Sequence, residues 1–593
     1  MRRLLLLVLL PLWVACRRSE PQPRPAPSAA PTVVHVDAGA AAPEAIKYRT
    51  DASTFHVDPA LVGTGKTSMV ASEDHHATEA GEAMLVAGGN AVDAAVTTAF
   101  VLAVTHPSAG NLAGGGFAVV RVAKGQASAL DFRETAPAAA TPDMYLDAGG
   151  NPTKESLIGD RACGVPGSVA GLYELHHKYG KKKWSEVLAP AIALATNGFV
   201  VEEALHDSLV RVLGYRKSIT TAPLWWPNSK PLDAGVTVKN PELAIVLGRI
   251  AAQGPDGFYK GDTAKAIVDE MHEGKGLITA ADLAGYKAVW RDALHTTYRG
   301  KHLITMPPPS SGGIVIAMTA NMLKDVDLGK LPWHGEEHIH RVTETWRRGF
   351  AARNEILGDP AYVKDMPVKK LMSQDYADEL AKTVTDKATP SKNIPGLIEG
   401  THTTNLSVVD KNGMAVALTT TLNTSFGNSI QVQGFLLNNE MDDFAAKPGS
   451  PNVYGLVMGV ANKIEPGKRM LSSMSPTIIE DDKGELFMVL GGQGGPRIIT
   501  EVWQTLSNVI DFGMTVDAAI AAPRFHHQHL PDDISIEGDS ISEATAKALE
   551  AAGYKLVFNK GERTYGAVNA IVRTKHGWQG AADPRGGGAA LGD

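Results

Sequence analysis

Gly400-Thr401-His402-Thr403-Thr404-Asn405-Leu406-Ser407-Val408-Val409-Asp410 runs through Lys411-Asn412-Gly413 into the stretch Met414 to Asn423. Leu406 to Asp410 and Met414 to Thr421 are rich in β-branched and apolar residues. The pattern predicts two strands joined by a hairpin loop, with Gly413 at the left-handed position. If Asp410 closes the loop against Met414, counting back along both strands sets Thr403 opposite Thr421; a slip of one residue would put the partner on the other face. Strand propensity alone accounts for threonines in such a hairpin. What a threonine at this place offers is nucleophilic chemistry. A hydroxyl inside a chain is a weak nucleophile with no base attached. Cutting the peptide before it frees an α-amine two bonds away, whose reference pKa near neutrality suits it to take the hydroxyl proton.

Further blocks follow in order: Thr421-Leu422-Asn423, Leu-Leu-Asn-Asn-Glu-Met-Asp-Asp over 436–443, Ser-Ser-Met-Ser-Pro over 472–476 and Gly-Gly-Pro-Arg over 494–497. Upstream lie Phe-Arg-Glu-Thr-Ala-Pro over 132–137 and Pro-Pro-Pro-Ser-Ser-Gly-Gly over 307–313. Together with Thr403-Thr404 before a Ser-Val-Val-Asp strand, their order and spacing resemble the gamma-glutamyltranspeptidase family of N-terminal nucleophile hydrolases. The resemblance covers residue 65 to the C-terminus. It implies an α+β fold, a four-layer αββα sandwich, and self-cleavage between His402 and Thr403 into a large subunit (65–402) and a small catalytic subunit (403–593) that form a heterodimer.

The resemblance also implies roles. Thr403 would attack the side-chain amide of a γ-glutamyl compound, Thr421 would hold its hydroxyl, and the N–H groups of Gly494 and Gly495 would stabilise the oxyanion; by themselves those glycines read as a tight turn. Arg133, Ser472 and Ser473 would take the α-carboxylate, and Asn423, Glu440 and Asp443 the α-ammonium. A lone arginine is usually a solvated surface residue, but a guanidinium suits bidentate binding of a carboxylate. Lys447 to Gly455 resembles the family's lid with its tyrosine, Tyr454. Asn405 stands where some relatives have His. The substrates implied are glutathione and other γ-glutamyl compounds, with water or an amino acid or dipeptide as acceptor, and no cofactor.

The elements that must position these residues belong to a chain of 593 residues, 44% hydrophobic and 20% charged, enough apolar material for a large core. A formal charge of −7 without a basic stripe interleaved with aromatics argues against nucleic acid as a partner. Met1-Arg2-Arg3, the apolar run Leu4 to Ala15 and then Cys16 resemble a bacterial lipoprotein signal over 1–16, although Trp13 stands where Leu is usual and leaves a general signal peptidase as the alternative. The expectation is an exported protein of the periplasm or cell envelope, lipid-anchored to a bacterial membrane through Cys16. That would leave Cys163, the second of two cysteines, without a disulfide. Residues 17–64, Pro- and Ala-rich at first, read as a disordered tether and lead-in.

Glu82 to Val104 reads as one helix with an apolar stripe. Gly65-Lys66-Thr67 lacks the upstream glycine of a phosphate loop, which is Ala60 here. The run Gly114-Gly115-Gly116 reads as close packing, residues 168 to 300 as helices alternating with Trp- and Pro-containing loops, and Lys382 to Ile398 as an exposed linker. Neither His334/His338 nor His526/His527/His529 has acidic or cysteine partners at ligand spacing, so no metal is expected. Two other functions fit parts of this pattern: a related acylase acting on glutaryl-like amides or poly-γ-glutamate, and a catalytically silent binding lipoprotein.

Overall fold

The structure, a computed structural model, describes residues 55, 57–123, 126–215, 221–391, 403–538, 540–559 and 565–593. The expected signal peptide with Cys16, most of the tether, and His402 lie outside the described residues. The ordered body starts before the expected boundary at residue 65, because Val62 to Gly65 already pairs into a sheet.

Two seven-stranded antiparallel sheets form the centre. In chain order their strands are β1 (Val62–Gly65), β2 (Met69–Ser72), β3 (Gly115–Val122), β4 (Gln126–Asp131), β5 (Val289–Arg291), β6 (Leu294–Tyr298) and β7 (Lys301–Thr305). Then come β8 (Thr403–Val409), β9 (Ala415–Thr421), β10 (Thr477–Glu480), β11 (Leu486–Gly492), β12 (Val568–Thr574), β13 (Gly577–Ala581) and β14 (Ala589–Gly592). One sheet runs β1-β13-β12-β11-β10-β7-β6 and the other β14-β2-β8-β9-β3-β4-β5.

Alternation along the strands sorts side chains into two cores. Met69, Ala71, Phe117, Val119, Ala415 and Ala417 face the first sheet, while Val70, Ala118, Val120, Val416 and Leu418 face helices α1 (His75–Val86) and α2 (Ala91–Thr105). On the far side of the first sheet pack α3 (Gly312–Met322), α4 (Glu336–Ile356) and α5 (Arg497–Ile510). The order is helix, sheet, sheet, helix: the four-layer αββα sandwich of the N-terminal nucleophile hydrolases. Each fully buried Val or Leu of the central strands contributes about 1.5–3 kcal/mol relative to exposure.

The helix expected over Glu82 to Val104 is two helices. Gly88 takes φ 85°, and Asn90 caps α2 by accepting from the N–H groups of Val92 and Asp93 while Asp93 accepts from the N–H of Asn90. Gly88-Gly89-Asn90 was a stop-and-cap signal that the continuous apolar spacing obscured. Every residue of α2 is buried, so its apolar character is not confined to one stripe. Helices and Trp- and Pro-containing loops alternate over most of 168 to 300, with Trp225 and Trp226 in the core, but β5 and β6 lie in the same range and make its end part of the two central sheets. Among the described residues no helix is long and apolar enough to cross a membrane.

Strand pairing brings distant segments to one end of the sandwich. Thr403 opens β8 opposite Thr421, the last residue of β9, which in turn faces Gly115 at the start of β3. β4 ends at Asp131, two residues before Arg133. In the other sheet Thr477, just after the 472–476 block, pairs with Thr305, just before the 307–313 block, and Gly492 ends β11 before Gly494.

Candidate active site

The hairpin has the register that closing Asp410 against Met414 requires: the Asp410 N–H donates to the Met414 carbonyl at 3.0 Å, and Gly413 has φ 79°. Thr403 is 4% exposed, and its Oγ1 lies 3.4 Å from Thr421 Oγ1. The Thr421 hydroxyl accepts from the Asn423 N–H at 2.9 Å. Behind it, a Cβ on Gly114 would meet the Thr421 carbonyl oxygen at 2.0 Å, and one on Gly116 the Thr419 carbonyl oxygen at 2.3 Å. The glycine run is there for close approach of β3 to the threonine strand.

Thr403 opens into a cleft enclosing about 320 Å³, and the structure gathers the expected residues around it. Arg133, Asn423, Glu440, Asp443, Tyr454, Ser472, Ser473 and Gly495 all line this cleft with Thr403 and Thr421. Gly494 lies behind Gly495. The two glycines have φ 134° and 56°, and Arg497 and Ile498 donate back to their carbonyls at 3.1 and 3.2 Å, starting α5. Neither glycine donates its own N–H to a neighbour among the described residues. The turn therefore presents free donors at a helix N-terminus, where negative charge is favoured.

The charged residues are less separated than the sequence reading had them. Arg133 is fully buried, and its guanidinium donates to both Glu440 Oε1 and Asp443 Oδ2, with Glu134 Oε2 3.6 Å away. Burial opposes the Arg133 charge, but the three carboxyls more than offset it and hold the guanidinium protonated. Burial likewise raises the acids against the pull of Arg133: Glu440 lies well above the ordinary carboxylate range and Glu134 is pushed up to about 7.

Neighbouring segments hold this cluster in place. Asn438 accepts from the Glu440 N–H and donates to the carbonyls of Ala113 and Gly164, while Asp442 accepts from Ser156 and from the Val453 N–H, tying the acidic turn to the lid. The Tyr454 hydroxyl donates to Asn423 Oδ1 at 2.8 Å, and its ring covers Gly495. Ser311 Oγ donates to the Ser472 carbonyl at 2.6 Å and Ser310 Oγ to that of Met474, so the 307–313 block positions the two serines.

Arg353 was missed. It lies 1% exposed on α4, lines the cleft and donates to Ser311 Oγ at 3.0 Å, Asn354 Oδ1 at 3.0 Å and Ser473 Oγ at 3.2 Å. Burial and then Arg133 bring it down to about 10, with Asp443 opposing. The signal was available: Trp346, Phe350 and Arg353 fall at i, i+4 and i+7 on the buried face of an otherwise charged helix.

The remaining motifs have structural uses. The N–H groups of Thr67 and Ser68 bind the Asp593 side chain at 2.8 Å each, in place of a phosphate. His334 and His338 pack against Phe525, and His526 and His527 hydrogen-bond to Thr500, Gln528 and Asp532. Asn405 accepts from the Asn569 N–H, stitching β8 to β12 across the sandwich. Cys163 is a buried thiol beside the Asn428 amide. Lys382 to Ser391, the described part of the expected linker, is mostly exposed, though Ser391 is tied to Asp532.

Comparison with known proteins agrees with this geometry. The family described as Gamma-glutamyltranspeptidase matches residues 77–593. The chain is 46% identical over 561 residues to the glutathione hydrolase proenzyme of Escherichia coli (strain K12), covering 92% of this chain and 94% of that protein. It is 42% identical over 544 residues to the glutathione hydrolase proenzyme of Pseudomonas aeruginosa, covering 90% and 96%. Among solved structures, cephalosporin acylase from Bacillus halodurans is similar with a TM-score of 0.78 at 25% identity, covering 93% of this chain and 99% of that one.

Proposed function

The chain belongs to the gamma-glutamyltranspeptidase family, and from that premise we propose that it is a self-processing gamma-glutamyltransferase and glutathione hydrolase in which Thr403 is the nucleophile. The observation that carries this reading is the meeting, in one cleft, of the Thr403–Thr421 pair, the Gly495 turn and the Arg133–Glu440–Asp443 cluster.

In the precursor, Thr403 Oγ attacks the His402 carbonyl carbon. The peptide C–N bond breaks, and water then opens the resulting ester. This yields a large subunit ending at His402 and a small one starting at Thr403, whose new α-amine serves as base. In turnover the hydroxyl proton passes to that amine as Oγ bonds to the γ-glutamyl carbonyl carbon. Oxyanion charge falls on the N–H groups of Gly494 and Gly495. The proton then goes to the leaving nitrogen as the C–N bond breaks, leaving a glutamyl ester. Water, or the amine of an amino acid or dipeptide, attacks the ester, and Thr403 Oγ regains a proton.

The paired charges explain the choice of acyl group. An entering zwitterion exchanges salt bridges: its α-carboxylate takes Arg133 with Ser472 and Ser473, and its α-ammonium takes Glu440, Asp443 and Asn423. A glutaryl-type acyl group without the amine would separate Arg133 from its acids and leave them unpaired, a costly burial of charge. That disfavours the acylase reading, and the intact threonine pair disfavours a silent binding lipoprotein.

The test is intact mass and N-terminal sequencing of protein expressed without residues 1–16, beside Thr403→Ala. The wild type is expected to give a small chain beginning Thr-Thr-Asn-Leu and to release aniline from a γ-glutamyl anilide, whereas the variant stays a single inactive chain. A wild type that splits but leaves the anilide intact would overturn the substrate assignment, and one that never splits would overturn the mechanism.

A further inference from the structure

A second cleft, enclosing about 380 Å³ and partly open to solvent, lies beside the first and shares Tyr454 and Pro496 with it as a common wall. Arg497, His526, Gln528 and Asp533 line it. Arg497 follows the oxyanion turn by two residues and is 6% exposed. Its Nε is enclosed without a hydrogen-bond partner, and its guanidinium neither donates a hydrogen bond nor pairs with a carboxylate among the described residues. It rests over the Tyr565 ring at 5.3 Å.

The nearby acids make their closest contacts elsewhere, although Arg497 is near enough to Glu501 to oppose the rise in its pKa. Glu501, one helical turn along, accepts from the Gly566 N–H at 2.9 Å and lies 3.6 Å from Arg524, and Asp533 pairs with Lys555 at 3.3 Å. Both ring nitrogens of His526 are engaged, at 2.8 Å each with Thr500 and Gln528, and Gln528 in turn donates to the Tyr454 carbonyl at 3.0 Å. The other polar groups of the cleft thus hold one another and the lid in place, and Arg497, the one buried cation facing it among the described residues, is open to an anion. A buried guanidinium that makes no hydrogen bond and no close ion pair is costly unless a ligand supplies the acceptor, and its fork suits a carboxylate.

We infer that this cleft is the acceptor subsite, with Arg497 binding the carboxylate of the amino acid or dipeptide that receives the glutamyl group. The inference rests on the γ-glutamyl transfer proposed above. The bound acceptor's neutral amine attacks the glutamyl ester across the shared wall. Its nitrogen bonds to the carbonyl carbon, the C–Oγ bond to Thr403 breaks, and the amine proton passes through the Thr403 α-amine to Oγ. The same arginine takes the terminal glycine carboxylate of glutathione when that tripeptide is the donor.

The test uses the matured enzyme with a γ-glutamyl anilide as donor, whose leaving group has no carboxylate, and compares glycylglycine with glycylglycinamide as acceptor. The wild type is expected to show an acceptor KM about tenfold lower for the free acid, the order of one charge-assisted contact. That ratio should collapse below about twofold in Arg497→Gln and be partly restored in Arg497→Lys. Equal KM values for the two acceptors in the wild type, a comparison that needs no variant, would overturn the assignment. So would an undiminished preference in Arg497→Gln. A wild type that splits yet leaves the anilide intact removes the inference together with its premise, an outcome distinct from cleavage without acceptor discrimination.

Discussion

Arg133 and Arg353 are both buried arginines at one cleft, yet they have opposite surroundings. Arg133 is held by carboxylates, while Arg353 hydrogen-bonds to neutral oxygens and lies below its ordinary pKa through burial and the repulsion of Arg133, with Asp443 opposing. Its hydrogen bonds to Ser311 and Ser473 make it a positioning residue for the carboxylate-binding serines. A hydrogen bond to a charged group is worth about 1.5–3 kcal/mol. Arg353→Gln is therefore expected to raise the KM for a γ-glutamyl anilide by about tenfold or more with a smaller effect on kcat, Arg353→Lys recovering part of it. A fall in kcat at unchanged KM would count against the role.

At the scale of elements, α5 carries both the oxyanion turn and a buried acid beneath it. Glu501 lies within 3.4 Å of where a Cβ on Gly494 would stand. Burial, opposed by Arg524, pushes its carboxyl from 4.5 up to about 7. Because the folded pKa is the higher one, the fold keeps this proton where the unfolded chain has lost it. Stability is full below about 4.5 and declines as pH rises to about 7. The difference corresponds to about 3 kcal/mol. The thermal midpoint of the wild type should fall across that window, and Glu501→Gln, neutral throughout, should flatten the slope. An unchanged slope would mean that the acid ionises freely in the fold.

For the whole molecule, one end of two packed sheets gathers segments from residue 133 to residue 497, since antiparallel pairing puts every second strand end on the same side. Where this molecule resides belongs to the same scale. We propose export and anchoring to a bacterial membrane through a lipid on Cys16, motivated by the basic start, the short apolar run and the cysteine that follows it. Labelled fatty acid should enter the full chain and not Cys16→Ser, which should move to the soluble fraction. Labelling of neither would leave the general signal peptidase as the processing route.

Local signals were enough for the hairpin and its threonine pair: a three-residue loop with one left-handed glycine sets the register, and a period of two then fixes which residues share a face. The order of the blocks was likewise enough for the family, the sandwich and most residues around Thr403. The break at Gly88-Gly89-Asn90 was written locally too, but apolar spacing continues across it, and only capping hydrogen bonds tell two helices from one. What the tertiary structure alone decided was which charges meet. Arg133 is joined to Glu440 and Asp443 across some three hundred residues, Arg353 stands behind Ser473, and Arg497 faces its own cleft with no hydrogen-bond or ion-pair partner among the described residues. An arginine's sequence neighbours do not say whether it ends in water, against a carboxylate or alone in a cavity. That depends on burial and on pairings between distant segments, which exist only once the sheets have packed.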